Sequence, residues 1–160
     1  DTIKDLPDVE LQLVGDGEMK NMIRKQITKL DLSDRVTLSG QLSNSELNHA
    51  IYRCDILCLL STERTEAFGI TILEAARLSK PSIVSDIYGS GMTWVVQHDK
   101  TGLVVPKLDR QALEAALIRI VKQPEKIEKL GASARARFET HFSIDKAASS
   151  LNMLYENTLA

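Results

Sequence analysis

The chain has 160 residues, of which 43% are hydrophobic and 26% charged. A domain of this composition and size buries roughly 70% of its unfolded surface, so it needs no disulfide or metal staple to fold. With 20 Lys and Arg against 22 Asp and Glu, the net charge of -2 excludes the basic balance of a typical nucleic-acid binder and the acidity of a disordered tail. Two cysteines, Cys54 and Cys58, do not make a disulfide framework. No apolar run approaches the ~20 residues of a membrane-spanning helix, and no leader pattern opens the chain. A reducing, aqueous compartment is expected. The first residue is Asp1 rather than Met, so the sequence reads as a piece of something longer.

Five short apolar runs alternate with helical patterns. A strand over 9–14 ends at Gly15-Asp16-Gly17, and a helix over 18–30 sets Met19, Met22, Ile23, Ile27 and Leu30 at helical spacing. A second strand covers 35–38. Ser43 with Glu46 forms a capping box that opens a helix running through Tyr52. The third strand, 55–60, is apolar throughout from Ile56 to Leu60, as a parallel strand buried on both faces should be. A helix is expected over 67–78, a fourth strand over 81–85 and a fifth over 102–105. After Asp109, a natural N-cap, the pattern is only helical. Helices are expected over 110–122, from Pro124 to about 140, and from Ser143 onward. The chain is therefore read as one α/β domain over 1–160. It is a Rossmann-like parallel sheet with helices on both faces, and 109–160 form a helical tail.

In open α/β sheets, ligands bind beyond the carboxyl ends of the strands. Glycines in Gly15-Asp16-Gly17 would let backbone N–H groups approach a phosphate. The dinucleotide fingerprint G-x-G-x-x-G fails there, because its last position is Lys20. A plain tight turn is the competing reading, and Asp16 and Glu18 would repel a phosphate. The most informative stretch runs from Glu66 to Glu74, two carboxylates with seven residues between them. Phe68 to Ile70 are expected to form the first helical turn, with unpaired N–H groups aimed at the cleft. Gly69 permits close backbone approach. Glu74 would accept hydrogen bonds from adjacent hydroxyls such as a ribose diol. On spacing alone, an acidic cap followed by a surface Glu explains the pair as well.

The run Ser61-Thr62-Glu63-Arg64-Thr65-Glu66-Ala67-Phe68-Gly69-Ile70-Thr71-Ile72-Leu73-Glu74-Ala75-Ala76 resembles the E-x7-E segment of family 4 retaining glycosyltransferases, enzymes of the two-domain GT-B fold. Residues 9–17, Arg35-Val36-Thr37-Leu38-Ser39-Gly40, Ser85-Asp86 through Gly89-Ser90-Gly91, and Thr101-Gly102-Leu103-Val104-Val105-Pro106 resemble that family's other landmarks, in order. The resemblance implies the donor-binding half of such an enzyme. By it, Glu66 contacts the transferred sugar and is the catalytic candidate, with no nucleophilic role assigned. Glu74 binds the ribose, and the amides of Phe68, Gly69 and Ile70 meet sugar hydroxyls and diphosphate, with Thr71 adding its hydroxyl. Gly40 and Gln41 lie beside the base, and Gly15 and Gly17 beside the phosphates.

The resemblance further implies a UDP- or GDP-sugar as substrate, no cofactor and no metal. A glycan or lipid-linked acceptor would be held by another domain. A cytoplasmic location follows, with peripheral contact of the full-length protein at the inner membrane face. The family's early Arg and Lys, its first strand in this domain and its other domain have no counterpart here. The chain alone is therefore expected to be inactive, and its sheet interrupted. A sugar-nucleotide 2-epimerase of the same fold and a non-catalytic nucleotide-sugar-binding module remain as alternatives. A dehydrogenase is disfavoured by the absent third glycine. Cys54 and Cys58 are expected as core thiols. Trp94 and Tyr88 are expected to pack in the core or an interface, or else to stack on a sugar face. Arg135 and Arg137 with Lys126 and Lys129 are expected on a solvated helix face.

Overall fold

The computed structural model describes residues 2–159. A 3-10 turn (Thr2–Asp5) precedes β1 (Leu11–Val14), α1 (Lys20–Lys29), β2 (Val36–Gly40), α2 (Asn44–Arg53), β3 (Leu57–Leu59), α3 (Ile70–Arg77), β4 (Ser82–Asp86), α4 (Met92–Val95) and β5 (Gly102–Pro106). Three helices follow, α5 (Arg110–Lys122), α6 (Pro124–His141) and α7 (Ile144–Leu159).

The helix starts follow from local chemistry. The Ser43 hydroxyl accepts from the Glu46 N–H, and the Glu46 carboxylate accepts from the Ser43 N–H at 2.8 Å, the reciprocal box the sequence announces. The Ser43 hydroxyl and amide also hold the Glu46 carboxyl below its usual range. Asp109 accepts from the Ala112 N–H at 2.9 Å, and Pro124 sits at the start of α6, where its missing N–H costs nothing.

All strand pairs are parallel, but they form two sheets, β1-β2 and β3-β4-β5. Among the described residues, β1 and β3 each have a paired edge and an unpaired one. The strands thus do not form one continuous sheet. The observed order fits a doubly wound sheet, 3-2-1-4-5-6, from which the strand numbered 1 is missing.

On β4 and β5, alternate residues face opposite sides, as the strand period of 2 requires. Val84 joins Ile72, Ile87, Met92, Val95 and Val96 on one face, with Leu57, Leu59, Phe68 and Phe142 against them. Ile83, Leu103 and Val105 join Ala116, Ile120 and Leu130 on the other. The sheet is therefore covered on both faces. The first sheet has its own small core of Ile3, Leu32 and Val36. Arg35 ties the N-terminal turn to β2 by donating to the Ile3 and Leu6 carbonyls at 2.9 and 2.7 Å.

The backbone corrects four expectations. The third strand is only Leu57–Leu59, because it pairs on one side alone. Phe68 and Gly69 lie before α3 rather than in its first turn. Gly69 is the N-cap, with φ +77, a left-handed conformation that no interior helical residue adopts. Cys58 is exposed rather than a core thiol. Tyr88 is 98% exposed, so it is not part of the core of this chain.

Candidate functional site

The candidate residues gather in two groups, one at the carboxyl end of each sheet. At the first, β1 leads into Gly15 and β2 ends at Gly40. The Gly15 N–H donates to the Gly40 carbonyl at 2.8 Å, so the two strand ends are tied. The Asp16 carboxylate accepts from the Gly17 N–H at 2.9 Å and pairs with Lys20 at 2.7 Å. The Lys20 ammonium, helped by that N–H, holds the Asp16 carboxyl below its usual range. The Lys20 Nζ and Asp16 Oδ2 both lie close to Gly40, 3.7 and 3.9 Å from where a Cβ would stand. The anticipated repulsion between Asp16 and a phosphate is therefore partly cancelled within the loop. The N–H groups of Gly15 and Gly17 are both engaged inside the protein. Gln41 is exposed beside them.

At the second group, β3 runs into the loop 61–69 and then α3. The Gly69 N–H donates to the Glu66 carboxylate at 3.0 Å, so Glu66 occupies an amide expected to face a ligand. The Ile72 N–H turns back to the Gly69 carbonyl at 2.9 Å. Among the described residues, the N–H groups of Phe68, Ile70 and Thr71 have no acceptor. These are the orphan donors of a helix start, at the positive end of its dipole. Ile70 is 70% exposed, so this end of α3 is open to solvent. Glu74 stands four residues on from Ile70, hence on the same helix face. It is half-buried, as is Thr71.

The loop after β4 braces this second group, a role that spacing alone did not reveal. The Ser90 hydroxyl donates to the Glu66 carbonyl at 2.7 Å, and the Gly91 N–H donates to the Ala67 carbonyl at 2.7 Å. Arg64 lies across Gly89, with Nε 3.1 Å from where a Cβ would be. The Gly89-Ser90-Gly91 sequence directly after a strand was the available signal. Trp94 packs at 6.0 Å from Phe68 and 4.8 Å from Phe142 between ring centroids, so it belongs to an aromatic cluster behind the loop.

Gly15, Gly17, Gly40 and Gln41 thus come together, as do Glu66, Phe68, Gly69, Ile70, Thr71 and Glu74, but on separate sheets. A groove of about 700 Å³ between α6 and the turn at 97–101 lies elsewhere, before the start of β5. Among the described residues, no three His, Cys, Asp or Glu side chains converge as a metal centre would require. No described helix is long and apolar enough to cross a membrane.

The parallel strands with helices on both faces and the long helices at the chain's end match the C-terminal halves of GT-B glycosyltransferases. The chain belongs to the glycosyl transferases group 1 family, which it matches over residues 1–137. It is 32% identical over 147 residues to the O-antigen chain mannosyltransferase C of Escherichia coli, covering 92% of this chain and 39% of that protein. Its fold superposes on sucrose-phosphate synthase from Thermosynechococcus elongatus with a TM-score of 0.83 at 27% identity, covering 99% of this chain and 40% of that one. The fold also recurs in Anabaena HepE, solved in complex with UDP-glucose, with a TM-score of 0.79 at 24% identity and coverage of 99% and 44%. The chain thus spans about two fifths of these proteins.

Proposed function

We propose that this chain is the donor-binding half of a retaining glycosyltransferase. The complete enzyme moves a sugar from a nucleoside diphosphate to a glycan or lipid-linked acceptor. The observation that carries the reading is the start of α3. There the Phe68, Ile70 and Thr71 amides lack acceptors and Glu74 follows one turn on. As the sugar leaves, negative charge grows on the diphosphate. Fixed N–H dipoles stabilise that charge without reorganising at the moment of reaction. Glu74 accepts from the two ribose hydroxyls, which sets the donor's register. Glu66, which accepts from the Gly69 amide, stands at the same helix start to contact the transferred sugar. Gly40 and Gln41 flank the base from the other sheet.

A parallel strand from a preceding segment fills the interval between β1 and β3, and a further domain supplies the acceptor site. The chain by itself is therefore inactive. A lipid-linked acceptor would bring the complete enzyme to the cytoplasmic face of a membrane.

The test is isothermal titration with UDP, GDP, ADP and their sugar conjugates, with Glu74→Ala alongside. Hydrogen bonds to a charged group contribute about 1.5–3 kcal/mol, so the substitution should weaken binding roughly 10- to 100-fold at an unchanged melting temperature. If neither the chain nor the complete enzyme binds any of them, the reading fails.

A further inference from the structure

The loop that presents the candidate amides is held from behind by a residue 68 positions away from Gly69. Arg137 lies near the end of α6, on the helix that also delivers Phe142. Its Nε donates to the Val95 carbonyl at 3.1 Å and its Nη2 to the Trp94 carbonyl at 2.6 Å. These are the last two carbonyls of the four-residue α4, groups a helix end leaves without internal partners. The guanidinium carbon also lies 5.7 Å from the Trp94 ring centroid and 5.4 Å from that of Phe142. One planar cation therefore closes the end of α4 and stacks on two aromatic rings, which a lysine cannot do with a single point charge.

The other end of α4 is fixed to the site. Its N-cap, Gly91, donates to the Ala67 carbonyl, and Ser90 donates to that of Glu66, both at 2.7 Å. The Phe68 ring lies against Trp94 at 6.0 Å and Phe142 at 6.1 Å, with the Trp94–Phe142 pair edge-on at 4.8 Å. Added side-chain bulk at Gly91 would press on Phe68 Cδ2 at 2.9 Å, so the two loops touch with no slack. Residues 66–68 are thus gripped on their backbone by one end of α4 and on the Phe68 ring by the aromatic cluster. Arg137 fixes both.

We propose that Arg137 is a positioning residue of the donor site, setting the geometry of the Phe68, Ile70 and Thr71 amides through α4 and the Trp94–Phe142 pair. Its effect on donor binding rests on the function proposed above. The clamp itself rests on the contacts alone. The expected solvated face of α6 is corrected at this position. Arg135, two residues earlier, bonds the Arg77 carbonyl and pairs with Glu139 on its own helix, and so serves a different element.

The experiment compares Arg137→Lys and Arg137→Met with Ile120→Ala. Ile120 is buried in the core cluster on the opposite face of the sheet, so its truncation destabilises the fold without touching the clamp. Hydrogen exchange over residues 66–72 and 88–95 reports the Gly69 and Gly91 amides. Titration reports affinity for the nucleotide sugar that binds the wild type. In Arg137→Met those amides should exchange about tenfold or more faster, as expected on losing a charged donor, with Arg137→Lys intermediate and Ile120→Ala like the wild type. Donor affinity should fall roughly 2- to 30-fold in the same order. Equal exchange in Arg137→Met and Ile120→Ala overturns the proposal, and so does a looser loop with unchanged donor affinity. A wild type that binds no nucleotide sugar overturns the functional reading instead, and exchange alone then decides whether Arg137 clamps the loop.

Discussion

Gly69→Ala isolates the turn on which the candidate site depends. Gly69 has φ +77, and a side chain held in that conformation costs about 1–2 kcal/mol. The added Cβ would overlap Ile72 Cδ1 and stand 3.0 Å from Ile72 Cγ1 and 3.3 Å from Leu59 Cδ2. Ile72 is only 2% exposed and packs among Val84, Ile87, Met92 and Val95, so it has little room to yield. Overpacking of this kind costs about 1–3 kcal/mol. The two effects together predict a loss of about 2–5 kcal/mol, or a melting temperature lowered by roughly 4–20 °C. Ile72→Val removes the atom in the overlap and by itself costs about 0.5–1.5 kcal/mol. In the double variant the steric part of the Gly69→Ala penalty should shrink, because only the tight contacts with Ile72 Cγ1 and Leu59 Cδ2 remain. The assay is denaturant unfolding of the four proteins in a double-mutant cycle. Additive effects, within about 0.5 kcal/mol, would refute the steric argument. A Gly69→Ala variant as stable as wild type would refute the backbone argument too.

Other expectations follow from single side chains. Burial by the surrounding domain pushes the Cys58 thiol up to about 12, although the residue itself is exposed. At pH 8 it should hold roughly a thousandfold less thiolate than a free cysteine, so iodoacetamide should label it slowly until the chain is unfolded. Rapid labelling of the native chain would place the thiol in open water. The Asp99 carboxylate accepts from Arg119 at 2.8 Å and pairs with Lys126 at 3.4 Å, and these cations, Arg119 foremost, hold its carboxyl below the ordinary 3.8. Because the folded value is the lower one, the stabilisation is complete above that ordinary value and is lost as the pH falls through the folded one. Asp99→Asn should therefore lower stability at neutral pH and flatten its decline in acid. An unchanged acid limb would show that the pair contributes nothing.

Much of this fold was legible because the signals were local. Ser43 with Glu46, Asp109 and Pro124 each mark a helix start through chemistry confined to one turn. The apolar runs marked the strands for the same reason. The start of α3 was misread because Phe68 falls at helical spacing with Ile72, while the left-handed conformation of Gly69 leaves no periodic mark in the sequence. The four-residue α4 is too short to show a period at all. Residue types at the site were readable from the Glu66 to Glu74 spacing. The capture of the Gly69 amide by Glu66 was not, nor was the pairing of Asp16 with Lys20. Arg137 carries no local mark, since its partners on α4 lie more than 40 positions earlier. Cys58 looked like a core thiol because free cysteines are ordinarily buried and its apolar neighbours gave no sign of an open face.

The separation of β1-β2 from β3-β4-β5 bears on how the chain comes apart. The first sheet rests on a core of three buried side chains, Ile3, Leu32 and Val36, whereas the second is sealed on both faces by larger clusters. No ladder of backbone hydrogen bonds joins them among the described residues. The unequal cores predict that, in this chain, the first sheet opens at lower free energy than the second, which hydrogen exchange over 36–40 against 82–86 would read. A ligand held by Gly40 on one unit and Glu74 on the other would act as a cross-strut between them. Its binding energy would fall mainly to the weaker partner, drawing two separate losses of structure into a single event.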